Sequence, residues 1–276
     1  MASRNLLDPV PSQLTQLDWC VSNGPGTYPE LLRQCQYSLT RLTIEYRRNF
    51  EDEKISLPEL QYLQVNTMGF RAVNLGLLMR NLYTPALRQL VIGGLNWDDI
   101  TTVDARSIMI LLSLSGCCLT HLKVAFRLQP LCEDVSEFRE LMQALPTLEA
   151  LDLEGRSSDI CATRGLREVF YSLTRDALEG GILPSLSEII IVCECEDTEL
   201  LPTNVVEAML RSRTRIQSQT SQDRILLTYV NIRISWSHGF HQPALIWHKL
   251  NSGSIVREVA KKTENGSMME TTRMTL

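Results

Sequence analysis

Three short stretches carry residue types that could do chemistry. Cys193-Glu194-Cys195 sets two thiols two positions apart. Two thiolates at close spacing can hold a soft metal such as zinc, provided a second pair of ligands completes the tetrahedron. No second Cys-x-x-Cys pair follows, so the expectation is a structural role and no metal site. Gly116-Cys117-Cys118 sets two thiols side by side. Adjacent cysteines bridge only under strain, so one thiol is expected to be buried and the other exposed. His238, His241 and His248 form a histidine cluster. With Ser235 or Ser237 beside them they would offer a base and a nucleophile. The chain has no G-x-S-x-G elbow, no P-loop and no G-x-G-x-x-G, and no carboxylate is positioned next to the histidines in sequence. No catalytic residue, cofactor or metal is therefore expected, and the protein is not expected to be an enzyme. A hydrolase using the His238–His248 loop is the alternative from that class.

Composition narrows the partners. The net charge is −5, which does not favour nucleic acid, whose binders carry a basic face. No apolar run is long enough to span a bilayer, and the opening MASRNLLDPVPSQ has no apolar core of a secretory signal. The expected location is cytoplasmic or nuclear, where the eight cysteines stay reduced. The charge run 46–54, Tyr-Arg-Arg-Asn-Phe-Glu-Asp-Glu-Lys, is expected as a solvated loop.

The elements that would position such residues follow from a repeat. An apolar residue followed by apolar residues at +3 and +5 recurs along the chain. It appears as LTQLDW from Leu14, LTRLTI from Leu39, LQYLQV from Leu60 and LRQLVI from Leu87. It returns as LTHLKV from Leu119, LEALDL from Leu148, LSEIII from Leu186 and LTYVNI from Leu227. Successive starts lie 25, 21, 27, 32, 29, 38 and 41 residues apart, close to the period of leucine-rich repeats at first and longer at the end. The +3 and +5 residues share one face of a strand, and the first residue enters the core from the preceding turn.

Helical periodicity fills several gaps. Segment 105–116 puts Ile108, Leu111 and Leu112 on one face. Segment 134–146 does so with Val135, Phe138, Leu141, Met142 and Leu145, and Pro146 stops it. Segment 163–181 aligns Leu166, Val169, Phe170, Leu173 and Leu178 before a Gly-Gly cap. Segment 203–213 opens on Thr203 and ends on basic residues. The expected fold is α/β, a leucine-rich-repeat solenoid with parallel strands on the concave side and helices on the convex side. The consensus Asn or Cys at +8 is absent, because Ser22, Arg47, Met68, Leu95, Arg127, Arg156 and Glu194 stand there. An irregular, partial horseshoe of about eight repeats is expected over 1–242, a C-terminal cap over 243–262 and a disordered polar tail over 263–276. Residues between the inward positions would form a binding surface: Arg41, Thr43, Gln61, Gln64, Gln89, His121, Lys123, Ala150, Asp152 and Glu188.

The stretches IMILLSLSGCCLTHLKV (108–124), ELMQALPTLEALDLEG (140–155), LTRDALEGGILPSLSEIIIV (173–192) and VVEAMLRSR (205–213) carry a resemblance. In order and spacing they resemble the leucine-rich region of the F-box-type proteins of mushroom-forming fungi. The resemblance covers about 105–215. It implies a protein-interaction module that recognises targets for a cullin-type ubiquitin ligase. Leu57-Pro58-Glu59-Leu60 has the opening of an F-box but leads straight into LQYLQV, so it reads as a repeat turn. A Skp-type adaptor is thus expected as a partner only through a cryptic F-box, beside an unidentified protein target. A free-standing binding scaffold and a truncated paralogue without function are the alternatives.

Overall fold

In a computed structural model the described residues are 13–20, 28–46, 54–67, 75–94, 105–127, 135–156, 161–174, 182–195, 203–214, 227–236, 244–249, 254–262 and 269–275. The chain runs β1 (Gln16–Cys20), α1 (Tyr28–Gln34), β2 (Arg41–Tyr46), β3 (Ile55–Ser56) and β4 (Tyr62–Thr67). It continues through α2 (Leu75–Asn81), β5 (Leu82–Tyr83), β6 (Gln89–Gly94), α3 (Ala105–Ser115) and β7 (His121–Arg127). Then come α4 (Val135–Gln143), β8 (Ala150–Arg156), α5 (Cys161–Leu173), β9 (Glu188–Cys195) and α6 (Thr203–Thr214). The last elements are the strands β10 (Tyr229–Trp236), β11 (Ala244–Lys249), β12 (Ile255–Lys262) and β13 (Met269–Thr275).

One sheet of 11 strands organises the molecule, in the order β1-β2-β4-β6-β7-β8-β9-β10-β11-β12-β13. Every pairing from β1 to β10 is parallel, and those from β10 to β13 are antiparallel. β3 and β5 form a separate parallel pair, so the link from β2 to β4 holds a strand where most other links hold a helix.

The repeat explains where the parallel strands start. Gln16, Arg41, Tyr62, Gln89, His121, Ala150, Glu188 and Tyr229 are the first residues of their strands, each two positions after the leading apolar residue of its motif. The registers pair these positions across the sheet, as in Arg41 with Tyr62, Gln89 with His121 and Ala150 with Glu188. Inward residues at +3 and +5 are buried from β2 onward, from Leu42 and Ile44 at 0% exposure to Val124 at 6%. They join Leu39, Leu60, Leu87, Leu119, Leu148, Leu186 and Leu227 in one core with the buried sides of the helices. Full burial of one such side chain is worth about 2 kcal/mol, and the repeat supplies three per unit.

A backbone ladder locks this register. The carbonyl of the +1 residue accepts two N–H groups from the next motif. Thr15 O takes those of Thr40 and Arg41 at 2.9 and 3.0 Å, and Thr40 O takes those of Gln61 and Tyr62 at 2.8 and 3.0 Å. The same bifurcation recurs at Gln61, Arg88, Thr120, Glu149 and Ser187. Where the +1 residue is Thr or Ser its hydroxyl adds a bond to the previous repeat. Thr40, Thr120, Ser187 and Thr228 donate to Thr15, Arg88, Glu149 and Ser187 carbonyls at 3.0–3.3 Å. These bonds tie repeat to repeat at the strand entrance, on the side opposite the missing +8 Asn. At +8, Arg127, Arg156 and Glu194 remain in strand, paired in register.

The helices show the expected faces. α3 buries Ile108, Leu111 and Leu112, α4 buries Phe138, Leu141 and Met142, and α5 buries Leu166, Val169, Phe170 and Leu173. Gly116 follows α3 with φ +61° and its N–H donates to Leu112 O at 2.8 Å, the left-handed cap for which glycine is suited. α5 ends at Leu173, earlier than the helix expected through 181; the Gly-Gly cap at 180–181 lies outside the described residues. The carbonyl end of α5 is satisfied differently. Arg213, 3% exposed, reaches back from α6 and donates to Leu173, Ile182 and Leu183 carbonyls at 2.6, 2.8 and 3.2 Å. Its basic side chain therefore serves the preceding helix end rather than its own.

Beyond β10 the expected cap segment 243–262 contains β11 and β12. Trp247 is fully buried, and Arg257 of β12 donates to Glu207 of α6 at 2.9 Å. Residues 269–275, expected in a disordered tail, are strand β13 paired with β12. Backbone pairing needs no apolar side chains, which is why a polar segment can join a sheet edge. Residues 263–268 and 276 lie outside the described residues.

Candidate interaction face

Alternation along each strand gives the sheet two unlike faces. One packs on the helices. The other is free of helices among the described residues, and register sorts its side chains into rows. The first row is Gln16, Arg41, Tyr62, Gln89, His121, Ala150, Glu188, Tyr229. The second row is Asp18, Thr43, Gln64, Val91, Lys123, Asp152, Ile190, Asn231. Glu45, Asn66, Glu154, Val192 and Arg233 belong to the third.

Arg41, Thr43, Gln64, Gln89, His121, Lys123, Ala150, Asp152 and Glu188 thus lie on one surface. Gln61 does not. It precedes β4 in the turn, where its N–H and carbonyl serve the inter-repeat ladder, and Tyr62 holds the place in the row. Strict use of the +2 position would have found Tyr62. Extending the frame to +6 would have found Asn66 and Glu154.

Two clusters stand out on this face. Lys123 Nζ donates to Asp152 Oδ2 at 2.9 Å and to Glu154 Oε1 at 2.6 Å. Burial works against the ammonium, but the two carboxylates outweigh it and raise the lysine pKa. Burial pushes the Asp152 carboxyl up, against the pull of Lys123, and Asp152 Oδ1 is buried without a hydrogen-bond partner. The second cluster is uncharged. Tyr62 Oη donates to Gln64 Oε1 at 2.6 Å, and Gln64 Nε2 donates to Asn66 Oδ1 at 3.0 Å. The Arg41 guanidinium lies 3.7 Å from the Tyr62 ring centroid, within cation–π range.

The residues singled out for chemistry are dispersed. Cys193 faces the core and is fully buried, so its thiol is a packing group. Cys117 is partly buried and Cys118 exposed; burial pushes the Cys117 thiol up to about 11. None of Cys35, Cys117, Cys118 and Cys193 is in a disulfide. His248 lies on the helix-free face, its Nε2 3.9 Å from Glu258 Oε1, so a carboxylate does sit beside it. Its cross-strand partner is Asn231. Ser235 is four residues farther along β10, about 13 Å away by strand rise. The structure therefore does not bring that serine to that histidine. His238, His241 and Ser237 lie outside the described residues. No group of three or more potential metal ligands occurs among the described residues, and no described helix is long and apolar enough to cross a membrane.

Fold and face together define an α/β protein with a long, largely parallel sheet of alternating strand–helix units. No protein-family model matches the chain, and no similar curated protein or solved structure is found.

Proposed function

We propose that this chain is a protein-interaction module built as a leucine-rich-repeat solenoid, an irregular partial horseshoe whose concave side is the helix-free face. The observation that carries the reading is the register: equivalent positions of eight successive motifs form continuous rows of mostly polar side chains. A partner laid across such rows gathers many small contacts on a rigid support. Ile190, Val192 and Tyr229 add apolar surface beside Glu188 and Arg233, the mixed composition of a docking patch. The resemblance to fungal F-box-type proteins supports a finer reading, in which the bound partner is a target of a cullin-type ubiquitin ligase.

The test is affinity purification from native cells, with the intact chain and an Ile190→Arg variant, followed by mass spectrometry. A partner recovered with the intact chain and lost with the variant, at unchanged circular dichroism, is the expected result. A partner retained by Ile190→Arg and lost when the helix side is altered at Arg139 would overturn the assignment of the face. Co-purifying Skp-type adaptor and cullin are expected under the ligase reading; a specific partner without them would remove that reading and leave the interaction module.

A further inference from the structure

We draw no further inference here: the strongest candidate, the Lys123–Asp152–Glu154 side-chain cluster on the helix-free face, belongs to the interaction face already described, and nothing in the structure shows what covers it.

Discussion

Arg213 carries its charge into the interior, where its guanidinium donates to the carbonyls of Leu173, Ile182 and Leu183. One of these three acceptors, Leu183, sits at φ 55°, a left-handed conformation costly for leucine. Arg213→Leu is expected to lower stability by about 3 kcal/mol, because it strands buried carbonyls; the midpoint of urea unfolding measures it. The neighbouring thiols differ by environment. With Cys117 raised from 9.0 to about 11, its reactive thiolate is scarce at pH 8. A Cys118→Ser variant should therefore label slowly at Cys117 until the pH nears 11, whereas Cys117→Ser should label readily at the exposed Cys118. The sign for stability follows. Between pH 9 and 11 the folded state keeps a proton that the unfolded state has released, so stability present below pH 9 is lost as the pH rises through that window. Cys117→Ser should flatten this loss in an unfolding titration.

At the scale of elements, Gly116 closes α3 and aims the chain into β7. Space is open around its missing Cβ, so Gly116→Ala meets no clash and pays only for φ +61°. The expected cost is about 1 kcal/mol, read as a fall in thermal midpoint. The eight parallel strands were legible because their signal is periodic and local: the +3 and +5 apolar residues state both the strand and its buried face. Helices α3, α4 and α6 were legible from their apolar stripes and ends. The end of α5 was not, because Arg213, forty residues downstream of Leu173, supplies the cap. The β3–β5 pair was hidden too, since two-residue strands carry no period. On the face, Asp152 and Lys123 could be placed by the frame, but their bond, and that of Tyr62 with Gln64, depends on rotamers and cross-strand neighbours that no spacing rule contains. Gln61 was misplaced because polarity was read ahead of parity.

For the whole molecule, the antiparallel β11–β13 segment decides how the sheet finishes. It covers the last parallel strand with Trp247 and clasps α6 through Arg257 and Glu207. Removing residues 244–276 should expose the Ile232 and Ile234 edge of the core, and light scattering should then report self-association where the full chain stays monodisperse. The strand-entrance ladder has a different consequence. Each carbonyl at +1 serves the next unit through backbone groups that almost any residue possesses, with Thr or Ser only adding to it. A unit is therefore joined to its neighbours by a connection indifferent to most of its sequence. Gene duplication could insert or delete an internal unit and find the same coupling waiting on both sides, lengthening or shortening the rows of the face while every remaining row kept its chemistry. The number of units is then a heritable variable, separate from the identity of the residues they display.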